Sequence, residues 1–150
     1  MTTDYLVSSL PALTFGAPAP ISWERFRSLV GDGACEPPEE WKDLEAQLRN
    51  AAAEARGGGD RWRRPASGCS LYWRDRVLAC FQERDVMRRE DMLDKVWWDA
   101  AGELTPPARP LGDGALATYA VRLKIALRRD MVSTEKGNEA FDRLTAETKR

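Results

Sequence analysis

The densest grouping of side chains able to do chemistry lies between Asp60 and Pro65, DRWRRP, where Arg61, Arg63 and Arg64 surround Trp62. Three guanidiniums around an indole could hold phosphates while the ring stacks on a base. Asp60 dilutes that charge, and the same residues equally suit an acidic protein surface or a solvated loop. The second unusual grouping is Trp97–Trp98. Helical neighbours point about 100° apart, so one ring can enter a core while the other faces out. An outward Trp98 would be a contact anchor, because binding energy concentrates on Trp. With six tryptophans in 150 residues, at least one of Trp23, Trp41, Trp62 or Trp98 is expected to lie exposed in an apolar patch.

Other chemistries are excluded or weak. The chain has no histidine, which removes Ser-His-Asp and Cys-His catalysis, His-ligated zinc and imidazole proton transfer. Cys35, Cys69 and Cys80 show no CxxC spacing, and an odd count suits free thiols in a reducing compartment. Cys80 falls on an apolar face and reads as an inert core thiol. Glu39–Glu40 and Glu90–Asp91 are acid pairs, but both sit where helices begin. Gly57–Gly59 lacks the Lys-Ser/Thr of a phosphate loop, and neither GDG follows a strand. No catalytic, cofactor or metal residue is assigned, and the chain is read as a non-enzyme. The net charge of -1 argues against a dominant polyanion-binding role, while leaving room for a local patch. Met1-Thr2-Thr3-Asp4 is no signal-peptide start, and no apolar run reaches membrane-spanning length, so a cytoplasmic protein is expected.

The elements that must position these residues are helical. Ser22 stands as an N-cap with Glu24 in the first turn, Trp23, Phe26, Leu29 and Val30 form an apolar face, and Gly31 ends the segment. Pro37–Pro38 opens a second helix whose Trp41, Leu44, Leu48, Ala51 and Ala55 make one stripe, with Lys42, Asp43, Glu45 and Arg49 outward. Trp73, Val77, Cys80 and Phe81 share a face that Arg84 would interrupt, after which Val86, Leu93, Val96, Trp97 and Ala100 begin another. Two helices joined near Gln82–Asp85, or one bent helix, satisfy this pattern. Glu103–Gly114 (residues 103–114) is a Pro/Gly connector. Beyond it, Leu116, Tyr119, Ala120, Leu123, Ala126, Leu127 and Met131 form one stripe and Val121, Ile125 and Val132 a second, which predicts a central helix. Phe141 continues the phase, Gly137–Asn138 would suit a break, and the charged tail is expected to fray.

The opening segment, residues 1–21, is Pro-rich. Tyr5, Leu6, Val7 and Leu10 form an apolar plug expected to tuck into the chain's own core, and Tyr5–Val7 is the one stretch with strand character. The residues Tyr5-Leu6-Val7, Ser9-Leu10-Pro11, Leu13, Phe15-Gly16, Pro18 to Pro20, Ser22 and Phe26 also resemble the opening signature of a family of uncharacterised bacterial proteins. That family is encoded among the subunits of V/A-type rotary ATPases and is similar to the helical stalk subunit called C or d. The likeness covers about the first fifth of the chain, with a weaker echo in Tyr119–Leu127 and Glu135–Asp142. The resemblance implies a non-catalytic accessory or stalk-type subunit, peripheral to the membrane through its complex, with ATPase subunits as partners.

The expectation is an all-α single domain over residues 1–150, with five or six helices and no cofactor. Partner contacts are assigned to Trp62, Arg61, Arg63, Arg64 and Trp98. The alternative is a small nucleic-acid-binding protein using the Arg61–Arg64 loop.

Overall fold

A computed structural model describes residues 2–58, 61 and 63–148, with the backbone alone at 134–141 and 147–148. The described residues are all-helical, with no strand: α1 (Thr3–Ser9), α2 (Trp23–Val30), α3 (Glu39–Ala55), α4 (Leu71–Cys80), α5 (Val86–Ala101) and α6 (Asp113–Thr148). Two short 3-10 turns, Asp32–Cys35 and Gly102–Leu104, lie between them.

Local chemistry sets the helix ends. The Ser22 hydroxyl accepts from the Arg25 amide at 3.1 Å, and Gly31 closes α2 at φ 87°. Past the end of α3, the Gly57 amide donates to Glu54 and the Gly58 amide to Ala53, at 3.0 and 2.9 Å. This Schellman closure needs a left-handed residue at Gly57, which has φ 77°. Between α4 and α5 the chain breaks rather than bends. Asp85 caps α5 by accepting from the Met87 amide at 2.9 Å, while the Arg89 guanidinium donates to the Glu83 carbonyl.

Tyr5–Val7 is helical, which corrects its reading as strand-like. Thr2 caps the turn, Asp4 suits its dipole, and no second strand exists among the described residues to supply a ladder. Tyr5 itself is exposed.

α3 packs on α4, α4 on α5 and α5 on α6. Their main core holds Trp41, Leu48, Trp73, Val77 and Val96, and α6 contributes Val121, Ile125 and Ala126. A second core gathers Ala120 and Leu123 of α6 around Phe26 of α2. Helix α6 therefore serves two cores through two faces, as its paired stripes predict. Residues 10–21 form a strap across both. Leu13 and Ala19 touch each core, and Phe15 meets Trp98 edge-on with centroids 5.5 Å apart. Two polar ties fix the strap: the Tyr119 hydroxyl donates to the Pro11 carbonyl at 2.7 Å, and the Ala19 amide donates to Asp130 at 2.9 Å. Of the apolar plug expected to tuck into the core, Leu10 packs against the second core as part of this strap, while Tyr5 is exposed.

Helix α6 spans 36 residues and runs through Gly137 and Asn138 without a break. At 1.5 Å per residue it is about 54 Å long. Its apolar side chains lose cover beyond Asp130: Met131, Val132 and Leu144 are all exposed.

Candidate functional site

Helix α3 carries a polar stripe at steps of four and three residues, Asp43, Gln47 and Asn50, and this stripe holds down the chain between Arg64 and Ser70. Asn50 clamps the Arg64 backbone from both sides: its amide donates to the Arg64 carbonyl at 2.9 Å and its oxygen accepts from the Arg64 amide at 2.6 Å. Asp43 accepts from the Ser67 amide at 2.6 Å and the Ser67 hydroxyl at 2.8 Å, and Gln47 accepts from the Ser70 amide at 2.8 Å. The Ser67 amide, its hydroxyl and the Gln47 side chain together hold the Asp43 carboxyl below its ordinary pKa. A segment that composition describes as a solvated loop is thus fastened side chain to backbone, and Asp43 faces that loop rather than open water.

The clamp places Arg64 at the rim of a hollow of about 320 Å³. Four guanidiniums line it: Arg49 and Arg56 from α3, Arg64 from the loop and Arg128 from α6. Glu90 and Asp94 of α5 are the carboxylates in its wall, and Trp97 forms part of its floor. Asp94 is already engaged, pairing with Arg128 and, at 3.0 Å, with Arg129. Arg49 pairs with Glu45 at 3.4 Å, the i,i+4 contact legible in the sequence. Arg56 lies over the Phe81 ring, 5.2 Å from its centroid. Among the described residues no carboxylate pairs with Arg56 or Arg64. A second hollow, about 280 Å³, adjoins the first and shares Arg49, Trp97 and Arg128 with it. Its other walls include Trp41, Val121, Ile125 and Lys124. One end of the groove is therefore cationic, the other mixes aromatic and aliphatic side chains with the charged Glu36, Lys42, Glu45 and Lys124, and Trp97 stands at the join.

The residues singled out in the sequence do not act as one patch. Arg64 enters this groove, while Arg63 lines a different hollow with Asn50, Glu54, Cys69 and Arg74. Arg61 is exposed, and Trp62 lies outside the described residues. Trp98 is 6% exposed, which overturns its role as an outward anchor. Phe15 of the strap packs against its ring, Arg122 stacks over it at 5.3 Å, and Arg122 Nε donates to the Trp98 carbonyl at 3.0 Å. Trp97 is the more open of the pair, half-buried at the groove. Trp41 is buried and Trp23 half-buried, so among the described residues no tryptophan named as a candidate is exposed. The groove residues that sequence reading missed are Arg56 and Arg128, and it also missed Asn50, which fastens the Arg64 backbone. The signal for Asn50 lay in its four-and-three spacing with Asp43 and Gln47.

Burial raises the pKa of both Cys80 and Cys35, keeping the thiols protonated. Among the described residues no cluster of His, Cys, Asp or Glu could hold a metal ion, and no helix is long and apolar enough to cross a membrane. What the groove offers is anion binding beside an aromatic surface. No family model, curated protein or solved structure matches the chain.

Proposed function

We propose that this chain is a non-catalytic accessory protein of a bacterial V/A-type rotary ATPase, acting through protein contacts on the cytoplasmic side of the membrane. The observation that carries the contact role is the second half of α6. Beyond Asp130 the large apolar side chains among the described residues are exposed, Met131 by 64% and Leu144 by 65%. A helix of that length has little stability of its own in water, and a partner surface would supply the missing packing. The ATPase setting is supported by the resemblance of the opening residues, Tyr5 to Phe26, to a family encoded with such subunits. In that setting the first half of α6 is a rigid base and the second half a lever for attachment. Nucleic-acid binding along Arg61–Arg64 has weaker support, since Arg63 and Arg64 serve separate hollows.

Full-length protein purified from its own cells is expected to bring down V/A-type ATPase subunits. The double substitution Met131→Glu, Leu144→Glu should lower that recovery by about fivefold or more while leaving the melting temperature unmoved. Recovery without ATPase subunits would refute the setting, and undiminished recovery with the double variant would refute the role of α6. The purified protein alone is expected to hydrolyse no nucleotide.

A further inference from the structure

We propose that the groove between α3, α5 and α6 is a binding site for a nucleoside phosphate. The inference stands apart from the contact role, which uses the far half of α6.

Charge comes first. Four guanidiniums face two carboxylates in the cationic hollow, and one of those carboxylates, Asp94, is committed to Arg128 and Arg129. Arg56 and Arg64 meet no carboxylate among the described residues, so an anion entering the hollow would find two guanidiniums with no competing ion pair. Guanidiniums bind phosphate oxygens through paired, charge-assisted hydrogen bonds, and they tolerate partial desolvation better than ammonium groups.

Preorganisation comes second. Arg64 belongs to a segment without regular structure, yet its backbone is gripped by both polar atoms of Asn50. Arg49 and Arg56 ride on a helix whose inner face is fixed in the main core by Trp41, Leu44 and Leu48. The cations therefore converge from three anchored backbones, and little ordering entropy is left for a ligand to overcome.

Shape comes third. Phosphate alone would fill only one end of the groove. The adjoining hollow is lined by Trp41, Val121 and Ile125 together with the charged Glu36, Lys42, Glu45 and Lys124, and Trp97 is common to both ends. A ligand using the whole groove has a phosphate group joined to a flat body with apolar faces and polar edges. The two hollows, about 320 and 280 Å³, suit such a molecule and are too short for a polymer chain. Indole and guanidinium planes both stack on purine or pyrimidine faces, which favours a nucleobase over an aliphatic tail.

Isothermal titration of the full-length protein with ADP, adenosine and pyrophosphate tests this. ADP is expected to bind saturably and more tightly than either part alone. Arg56→Ala and Arg64→Ala should each weaken ADP by roughly tenfold, and Arg63→Ala, in its separate hollow, should not. Trp97→Phe should erode the advantage of ADP over pyrophosphate and leave pyrophosphate itself unchanged. Arg64→Ala leaves the Asn50 clamp intact because that clamp uses backbone atoms, so unaltered melting of this variant separates lost binding from lost fold. Absence of saturable ADP binding would overturn the proposal. So would equal weakening by Arg63→Ala, or tighter binding of a short-chain phosphatidic acid or a single-stranded oligonucleotide than of ADP.

Discussion

A methyl group at Gly114 would stand 2.0 Å from the carbonyl oxygen of Leu104, closer than any real contact. This glycine sits in the first turn of α6 and lets the connector from α5 pass against the helix start. A hydrogen-bonded pair seals the crossing: the buried Thr118 hydroxyl donates to the Ala101 carbonyl at 2.8 Å, and the Thr105 and Thr118 oxygens lie 2.6 Å apart. Gly114→Ala is therefore expected to cost about 1–3 kcal/mol or more, because backbone must move to admit the methyl. Gly68→Ala, with open space around it and no positive φ, should be close to neutral by the same denaturant titration. Leu123→Ala tests the second core. Leu123 is fully buried, and truncation should cost about 2–5 kcal/mol. In sequence, Gly114 reads as one more loop glycine; its steric role depends on Leu104, ten residues away. The Trp97–Trp98 pair was half legible for a related reason. Helical geometry separates the two rings, but the strap residue Phe15 and Arg122 decide which is enclosed, and neither is near in sequence.

Among elements, those governed by neighbouring residues were readable. Ser22, Gly31 and Gly57 mark boundaries because capping is a contact across three or four residues, whereas near Asp85 the sequence left a break and a bend both open. The paired stripes of α6 revealed its central place for the same reason, since both faces are periodic in the sequence. Elements that depend on distant partners were not readable. The chain from Arg64 to Ser70 has no period and reads as solvent-facing, which its exposed residues bear out, but nothing local shows that α3 fastens it through Asp43, Gln47 and Asn50. Asn50→Ala should release Arg64, and trypsin is then expected to cut after Arg63 or Arg64 several times faster than in the parent, with little change in global melting. Unchanged cleavage would show that the clamp does not restrain the loop. The Asp43 end of the clamp should respond to pH. Its carboxyl is held below the ordinary value, so the folded form favours the ionised group. The stabilisation is complete above the unfolded Asp pKa of about 3.9 and is lost as pH falls through the lower folded value. Hydrogen exchange at the Ser67 amide should show protection that fades over that acid window, and Asp43→Asn should abolish the pH dependence.

At the scale of the whole molecule, the two ends of the chain do opposite work. The strap near the N-terminus joins both cores, with Leu13 and Ala19 touching each and Phe15 set between Trp98 and the cations of Lys95 and Arg129. In the far half of α6 the described apolar side chains at 131, 132 and 144 are exposed. Stability should accordingly be sensitive at the first end and indifferent at the second. Phe15→Ala is expected to cost about 2 kcal/mol, below the 3–5 typical of a fully buried Phe because this ring is only half-buried. Shortening the chain to end at Ser133 removes a helix segment of about 22 Å, yet should leave the melting temperature within a few degrees, since the core residues among those described end before it. Thermal unfolding of the two variants side by side decides the matter. A large fall on truncation would mean the second half of α6 packs on the body and is no contact lever. A negligible effect of Phe15→Ala would mean the strap lies on the surface without bracing the cores, and the N-terminal residues would then be the better candidates for a partner's grip.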